Sequence, residues 1–368
     1  MSQYDIAAYI WPAYTGDEPR TRIFWPDGMG EWQTVKAAGP KFEGHQWPRK
    51  PLWGYVNEAD PYVMEMQIEA AVDHGVNVFI YDWYWYDNRP FLENCLNDGF
   101  LKAKNNDKMK FYIMWANHNA NYLWDKRNSH IDSCTVWNGV VDENQFRVIG
   151  RRWIDKYFTH PSYYKIDGKP VVSIYELDNF INGLGGIDET KKQINWLREE
   201  AVKSGLKGVH FQCVLLRNGT VGITGVDGKS DYDESDVISQ LGFDSATHYQ
   251  FVHYADVNRK YCDVAIDVLK RWDEIKDTYD GVMYYPHVSV GWDNNPRYKE
   301  LRDYIMKENT PEEFEKMLVK AKDFADKNCN TPLITINSWN EWTESSYLQP
   351  DDLYGYGYLE AIKRVFKK

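Results

Sequence analysis

Short apolar runs, rich in β-branched and aromatic residues, recur along this chain of 368 residues, and amphipathic helical patterns lie between them. The strands predicted from these runs are Asp5–Trp11, Val76–Trp83, Met109–Trp115, Pro170–Tyr175, Gly208–Leu215, Phe243–His248, Val282–Val288 and Pro332–Ser338. The predicted helices are Asp60–His74, Arg89–Lys104, Glu143–Phe158, Thr190–Ser204, Ser235–Leu241, Asp256–Lys276, Thr310–Lys327 and Tyr356–Phe366. Such alternation is typical of the (β/α)8 TIM barrel, so we predict an α/β chain with this fold.

The main alternative is a doubly wound sheet, which usually carries a glycine-rich turn directly after an early strand. The one candidate, Gly183–Gly186, follows a predicted loop, and we interpret it as a turn before a helix capped at Asp188. The length alone would permit two domains, but a single barrel with long loops accounts for it equally well. No linker rich in Pro, Ser or Gly divides the chain, so we expect residues 1–368 to form one domain.

Three predicted connections are unusually long: Pro12–Asp60, Asn117–Glu143 and Arg217–Glu234. Loops of more than about 15 residues in a compact domain tend to be functional. Each of them follows a predicted strand. In a barrel they would therefore rise over the face formed by the carboxyl ends of the strands, where barrel enzymes carry their active sites.

Aromatic residues make up 16% of the chain, with 16 Trp and 27 Tyr. Tyr and Trp combine a flat apolar face with a polar tip, which suits the C–H faces and hydroxyl edges of a sugar. A Trp-rich core is the alternative explanation. Polar and aromatic residues also gather just after most of the predicted strands, and in a barrel these strand ends converge on one pocket.

Glu341 and Glu344 lie three residues apart, just past the last predicted strand. If that segment turns helically, both side chains point the same way. Two carboxyl groups beside one glycosidic bond are what glycoside hydrolysis needs, one to protonate the leaving oxygen and one to act as base or nucleophile. An acidic, solvated turn at the start of a helix is the alternative.

Other function classes find little support. The net charge of −12 and the lack of a basic stripe argue against nucleic acid as a partner. No apolar stretch is long enough for membrane insertion. We expect no cofactor and no metal: there is no HxH or HExxH pattern, and His118, His248 and His287 suit hydrogen bonds to sugar hydroxyls better than ligation. No GxSxG motif is present, and the five widely spaced cysteines predict no disulfide framework.

The N-terminal segment lacks the basic and apolar regions of a signal peptide. We therefore expect a cytoplasmic protein as the chain is written, or a periplasmic or extracellular one if a signal peptide has been removed.

At its motifs the sequence resembles the WbsX-like family, which is related to glycoside hydrolase family 99, over nearly the whole chain. The motifs that carry the resemblance are Gly30–Trp32, Gly44–Arg49, Asp82–Tyr86, Trp115–Asn117, Gly291–Arg297, Asn340–Glu344 and Tyr347–Asp351. The most specific is Asn340-Glu-Trp-Thr-Glu344, after the last predicted strand.

Family 99 enzymes are (β/α)8 barrels that cleave α-mannosidic bonds with retention. The resemblance implies that Glu341 is a base acting on the 2-hydroxyl of the sugar, giving a 1,2-anhydro sugar, and that Glu344 is the acid/base. An α-linked oligosaccharide or polysaccharide is the implied substrate. Two alternatives stay open: a glycosyltransferase of surface-polysaccharide synthesis and a non-catalytic carbohydrate-binding barrel. A transferase would need a site for a nucleotide sugar. The acidic candidates for such a site are the one DxD motif, Asp231-Tyr-Asp233, and the pair Asp351-Asp352, and both lie in predicted loops.

The strand ends and shared motifs together supply the candidate substrate-binding residues, with Trp11, Trp83 and Trp292 as aromatic walls. The full set is Trp11, Asp82, Trp83, Tyr84, Trp115, Asn117, His118, Glu176, His248, Tyr249, His287, Trp292, Asp293, Arg297 and Asn340.

Overall fold

The computed structural model describes residues 3–216, 219–226 and 229–367. Its central element is a parallel sheet that curls into a barrel, which confirms the predicted fold class. The barrel strands are β1 (Asp5–Ile10), β2 (Val78–Tyr86), β3 (Lys110–Trp115), β4 (Lys169–Ile174), β5 (His210–Val214), β6 (Ser245–Thr247), β7 (Met283–Tyr284), β8 (His287–Ser289) and β9 (Leu333–Asn337). They pair in the order β7-β6-β5-β4-β3-β2-β1-β9-β8.

The barrel closes at the seventh strand position, where the predicted strand Val282–Val288 is split. Its first half, β7, pairs with β6, and its second half, β8, pairs with β9. Between the halves, Tyr285 N–H donates to the Ala246 carbonyl at 2.9 Å, and the Pro286 carbonyl accepts from Thr335 N–H at 3.1 Å. Pro286 has no N–H to continue a ladder, which accounts for the break. The two short halves together occupy one strand position.

Helices alternate with the strands as predicted except between β2 and β3, and some of their bounds differ. They are α1 (Trp32–Lys36), α2 (Pro61–His74), α3 (Glu143–Trp153), α4 (Leu177–Leu184), α5 (Ile187–Lys203), α6 (Glu234–Leu241), α7 (Tyr261–Thr278), α8 (Pro311–Asn328) and α9 (Gly357–Phe366). Helix α8 begins as its sequence indicates, since the Thr310 side chain accepts from the Glu313 N–H and Pro311 occupies the first turn.

The predicted helix Arg89–Lys104 is wrong in its first half. Asp87 and Asn88 have φ values of 55° and 59°, a conformation that short polar side chains tolerate and that two-residue hairpin turns require. The chain therefore reverses, and Arg89–Phe91 pairs antiparallel with the end of β2. A π-helical turn over Cys95–Gly99 and a 3-10 turn over Phe100–Lys102 follow.

The glycine-rich segment also differs from its prediction. Gly183 belongs to α4, a helix that the sequence reading missed, and α5 begins at Ile187 after Gly186, with no cap at Asp188. Gly185 ends α4 with a φ of 91°, a conformation that favours glycine.

The long connections all leave the carboxyl ends of strands. The first contains α1, and the second contains a short antiparallel pair, Ala120–Asn121 with Thr135–Trp137. The third forms a hairpin of Thr220–Val226 with Lys229–Asp233, while Arg217, where the predicted loop begins, lies outside the described residues. Within the described ranges, no helix combines the length and the apolar character needed to cross a bilayer.

Gly139 allows the second long loop to lie against the end of β3. A Cβ atom at this position would lie 2.2 Å from the Asn117 carbonyl oxygen and 2.4 Å from that of His118. We predict that Gly139→Ala lowers the free energy of unfolding by roughly 1–3 kcal/mol, because the backbone must shift to relieve the overlap. Urea denaturation measures this, with Gly39→Ala as the control, since a Cβ at Gly39 meets no heavy atom within 4 Å. Equal midpoints for the two variants would contradict the prediction.

Candidate active site

A pocket of about 390 Å³ lies at the carboxyl ends of the barrel strands, within the size range of small-molecule sites. Its lining includes ten of the predicted residues: Trp11, Asp82, Tyr84, His118, Glu176, Tyr249, Trp292, Arg297, Glu341 and Glu344. A larger depression of about 720 Å³ lies at the opposite end of the barrel, beside Lys169 and His210. Because barrel enzymes work at the carboxyl ends of their strands, the smaller pocket is the candidate site.

The Asn340–Glu344 motif folds as a tight reversal after β9. Asn340 and Glu341 pair antiparallel with Ser346 and Tyr347, and Trp342–Glu344 forms one turn of 3-10 helix between them. Side chains three residues apart eclipse in a 3-10 helix, so both glutamates can reach the same pocket. The motif is therefore a buried turn inside the barrel mouth, not a solvated helix start.

Arg297 joins the two glutamates. Its Nη2 donates to Glu341 Oε1 and its Nη1 to Glu344 Oε1, each at 2.7 Å. Its Nε lies 3.4 Å from Oε1 of a third carboxylate, that of Glu31 in the first long loop. The Arg297 side chain is only 5% exposed, so these ion pairs are shielded from water. One guanidinium thus has three acidic partners, of which Glu31 and Glu341 are buried and the Glu344 side chain is 13% exposed.

Glu31 is the main site residue that the sequence reading left without a role. It is fully buried, and its Oε2 accepts from Trp11 Nε1 at 2.5 Å and from Thr343 Oγ1 at 3.0 Å. It therefore ties an aromatic wall of the pocket to the motif. The sequence signal that points to Glu31 is its position in the Gly30–Trp32 motif, which carries part of the resemblance to the WbsX-like family.

Burial changes the pKa of both paired glutamates, and their mutual repulsion adds to the change in Glu341. Burial raises the pKa of Glu341 well above its ordinary value, and the nearby Glu344 raises it further, while Arg297 opposes both effects. Burial also raises the pKa of Glu344, again opposed by Arg297. Glu344 Oε2 is buried and accepts no hydrogen bond from the described residues. The pair can therefore hold a proton at neutral pH, as acid/base chemistry requires.

Asp82 and Tyr249 extend this network. Tyr249 Oη lies 3.0 Å from Asp82 Oδ2 and 3.2 Å from Glu341 Oε2. Burial raises the pKa of Asp82 well above its ordinary value. Since one hydroxyl proton serves one acceptor at a time, a protonated Asp82 can donate to Tyr249 while Tyr249 donates to Glu341. Asp82 Oδ1 has no partner among the described residues.

The opposite wall carries uncharged histidines. His118 Nδ1 lies 2.9 Å from the Asn119 carbonyl, and burial lowers the pKa of His118. Burial also lowers the pKa of His253 to about 4. Tyr175 stands beside both rings and, like His253, was missed by the sequence reading. Tyr175 follows β4 directly, and His253 lies beyond the β6 end in a 3-10 turn that periodicity does not reveal.

Aromatic rings enclose the site. Trp11 packs edge-on against Tyr84 at 5.6 Å between centroids, and Trp124 from the second loop lies 5.2 Å from Trp11. Trp292 is half-buried at the rim. The walls expected at Trp11 and Trp292 are in place, and Trp124 adds a wall that the sequence reading missed.

The expectation for Trp83 and Trp115 is corrected. The two residues pair in register on β2 and β3, and both rings pack edge-on against Trp153 of α3, outside the barrel. Alternate side chains of a strand point to opposite faces. Because Asp82 and Tyr84 face the pocket, Trp83 faces the helices.

Three other candidates bind protein groups next to the pocket. Asn117 exchanges hydrogen bonds with the backbone of Glu176 at 2.7 and 2.8 Å. Asn340 does so with the backbone of Trp11 at 2.8 and 2.9 Å. Asp293 binds His45 Nε2 at 2.6 Å, and its N–H donates to the Glu344 carbonyl. These three side chains hold the pocket together without lining it.

The remaining two histidine candidates are also corrected. His248 lies on the outer side of the barrel, stacked on Tyr254 at 3.7 Å with its Nδ1 2.7 Å from Tyr284 Oη. His287 lies inside the barrel, where its two ring nitrogens bind the hydroxyls of Thr335 and Ser289 at 3.0 Å. Neither belongs to the pocket lining.

The acidic pairs considered for a nucleotide-sugar site have structural partners. Asp233 is the N-cap of α6 and accepts from the N–H groups of Ser235 and Asp236. Asp351 binds Arg49 Nη1 at 3.0 Å and Tyr347 Oη at 2.9 Å, both buried.

A family model described as glycosyltransferase WbsX matches residues 6–362. The chain belongs to the WbsX family. The protein WxcX of Xanthomonas campestris pv. campestris, described as uncharacterized, is 24% identical over 366 residues. That alignment covers 95% of this chain and 48% of WxcX, so the chain spans about half the length of this relative.

Solved structures of low sequence identity share the fold. The GH99 endo-alpha-mannosidase from Bacteroides thetaiotaomicron is 15% identical, with a TM-score of 0.56 and coverage of 99% of this chain and 96% of that one. A structure described as a glycoside hydrolase-like protein is 14% identical, with a TM-score of 0.65 and coverage of 100% and 95%. The family model confirms the resemblance of the sequence to the WbsX-like family, and the chain shares its fold with a GH99 enzyme.

The buried carboxyls predict how stability varies with pH. A carboxyl whose pKa is raised by folding binds more protons in the native state than in the unfolded state, so stability falls as pH rises from the unfolded value, about 4.3 for Glu, toward the folded value. Glu341→Gln removes this loss. We therefore expect the stability of Glu341→Gln, relative to the wild type, to increase from pH 4 to pH 7.

Urea midpoints at pH 4, 5.5 and 7 measure this difference. Glu300→Gln, at an exposed position, is the control and should show no such trend. A difference between Glu341→Gln and the wild type that stays constant with pH would contradict the prediction.

Proposed function

We propose that this protein is a glycan-active enzyme that hydrolyses an α-linked, mannoside-like glycan with retention of configuration. The observation that carries the proposal is the pair Glu341 and Glu344, held by one buried guanidinium at an aromatic-walled pocket. The walls suit sugar faces, and the carboxyls suit acid/base work at a glycosidic bond. The barrel shared with a GH99 endo-alpha-mannosidase and the motif after β9 support the same reaction class.

The contacts of the two carboxyls support a division of roles. Burial and Glu344 raise the pKa of Glu341, but both of its oxygens have donors in reach, Arg297 at 2.7 Å and Tyr249 at 3.2 Å, and these contacts stabilise its ionised form. Glu344 Oε2 has no such donor among the described residues, so the shared proton is better placed there. In our proposal Glu341 is therefore the base and Glu344 the acid.

The reaction then runs in two balanced steps. Glu341 takes the proton of the sugar 2-hydroxyl, O2 forms a bond to C1, the C1–O bond to the leaving group breaks, and Glu344 gives its proton to that oxygen. In the second step Glu344 takes a proton from water, the water oxygen bonds to C1, the C1–O2 bond breaks, and Glu341 returns the proton to O2. Two inversions at C1 give net retention.

Glycosyl transfer from a nucleotide sugar is the second candidate, favoured by the description of the matching family model. The charge of the pocket argues against it. Arg297 is already bound by three carboxyl groups, and Glu176 adds a further acidic group to the same lining. A diphosphate there would meet repulsion unless a cation accompanied it.

The test is a screen of α-linked oligosaccharides and 4-nitrophenyl α-glycosides, with α-mannosides included and the anomer first released identified by NMR. We expect a retained product from the wild type and a loss of roughly 10²- to 10⁴-fold in Glu341→Gln and Glu344→Gln. In Glu344→Gln the rate of the first step should fall less on α-glycosyl fluorides than on the other α-glycosides, because fluoride departs without protonation.

Glu300→Gln, at an exposed position, serves as the control and should match the wild type. Equal product release by the wild type and Glu344→Gln would rule out the assigned roles. Product from a nucleotide sugar and an acceptor, with none from hydrolysis, would favour the transferase instead.

A further inference from the structure

Glu58 is a fully buried carboxylate in the first long loop, and it lies outside the pocket lining. Its N–H donates to the Tyr14 carbonyl at 2.9 Å. Its carbonyl oxygen lies where a Cβ of Gly99 would be, at 2.2 Å, so a side chain at residue 99 would displace this backbone. The position of Glu58 is therefore fixed from two sides.

Three side-chain amides converge on this carboxylate. Oε1 accepts from Gln67 Nε2 at 3.1 Å and from Gln349 Nε2 at 2.7 Å, and Oε2 accepts from Asn340 Nδ2 at 2.7 Å. All three amides are buried. A buried carboxylate with several such donors is well solvated by the protein, which favours its ionised form.

The two glutamine amides bind the Asn340–Glu344 motif or the residue just before it, whereas Asn340 is itself part of the motif and binds Trp11. Gln67 Oε1 accepts from Trp339 Nε1 at 2.8 Å, and Gln349 Oε1 accepts from Trp342 Nε1 at 2.7 Å. Asn340 Oδ1 accepts from the Trp11 N–H at 2.8 Å. Trp342 lies between the two glutamates, and Trp339 and Asn340 directly precede them.

These hydrogen bonds permit only one orientation of each side-chain amide. Indole and backbone N–H groups can only donate, so each amide must turn its oxygen toward them. Its NH2 group then faces Glu58, which must accept on both oxygens. A neutral amide in place of this carboxylate would set its own NH2 group against other donors, and at least one of the three amides would lose its partner.

We propose that Glu58 is a positioning residue that holds Glu341 and Glu344 in register through Gln67, Asn340 and Gln349. Its effect on turnover rests on the proposed function, whereas its effect on the indole contacts does not. Displacing reacting groups by as little as 1 Å can cost about 100-fold in rate. Loss of this anchor therefore acts on kcat more than on KM.

The ionisation of Glu58 provides a readout that needs no substrate. Burial raises the pKa of Glu58 to about 7, although its three amide donors oppose the rise. The titratable groups around it are the Cys95 thiol, 3.9 Å from Oε2, and the hydroxyls of Tyr14 and Tyr81. Burial raises the pKa of each of these well above its ordinary value, so they stay neutral near pH 7.

The first arm of the test follows the 15N-labelled indole N–H signals of Trp339 and Trp342, assigned with Trp→Phe variants. In the wild type both should shift with pH around a midpoint near 7. In Glu58→Gln both should be displaced and should no longer titrate. The indole of Trp83, which donates to Glu93 at 2.8 Å, is the internal reference.

The second arm measures kcat and KM on whichever α-glycoside of the screen is turned over. We expect Glu58→Gln to lower kcat roughly 10- to 100-fold with KM within about threefold. The double variant Glu58→Gln with Gln349→Glu returns a carboxylate to the cluster, where it can accept both from the Trp342 indole and from the amide introduced by Glu58→Gln. It should regain most of the lost kcat, which a merely structural defect would not do.

The matched control is Glu234→Gln. Glu234, the first residue of α6, is also a buried glutamate whose pKa burial raises to about 7, but it accepts from the hydroxyl of Tyr279, just after α7, away from the pocket. It should leave both readouts unchanged. Indole signals that ignore both pH and Glu58→Gln would overturn the proposal, as would an unchanged kcat. If no glycoside is hydrolysed, the proposed function fails, while the indole signals still decide the role of Glu58.

Discussion

The buried guanidinium of Arg297 is the interaction on which the site depends. It joins Glu31 of the first loop, Glu341 and Glu344 of the turn after β9, and its own loop after β8. Three carboxylates could not share such a volume without a cation, and an unpaired arginine there would be costly. These ion pairs therefore hold the first loop, the turn after β9 and the loop after β8 together. Because three carboxyl groups share one guanidinium, Glu341 and Glu344 can keep a proton between them near neutral pH, as acid/base chemistry requires.

A second layer lies behind the first, and most of its side chains are amides and indoles arranged around the Glu58 carboxylate. The amides around Glu58 bind indole N–H groups that can only donate, so their orientation follows from the chemistry of their partners. On the other side, the Asp293 N–H binds the carbonyl of Glu344, and the Asp293 carboxylate is fixed by His45. The aromatic residues of this chain thus have two structural roles. Some rings, such as Trp11, wall the pocket, and others, such as Trp342, hold the turn that carries the glutamates.

Much of the fold could be predicted because its signals are local. Apolar runs and helical periods gave the barrel, and the Thr310-Pro311 start of α8 follows its sequence. The failures have physical causes that act over longer distances. Pro286 breaks the strand locally, but which neighbour each half pairs with is decided only in the closed barrel. Helix α4 lies in a short segment before Gly185 that periodicity does not reveal. The turn at Asp87 and Asn88 has a sequence signal, since short polar residues tolerate positive φ, but the apolar spacing after it predicts a helix instead.

By itself, the sequence determined the alternation of strands and helices, the acidic pair at Glu341 and Glu344, and the surplus of Trp and Tyr. Local spacing and composition carry that information. Only the tertiary structure decided which faces of the strands look into the barrel, and so it placed Tyr84 in the pocket and Trp83 among the helices. It alone brought Glu31 and Arg297 together across 266 positions. Ion pairs between distant loops leave no periodic trace in a sequence, because the closed barrel creates their proximity.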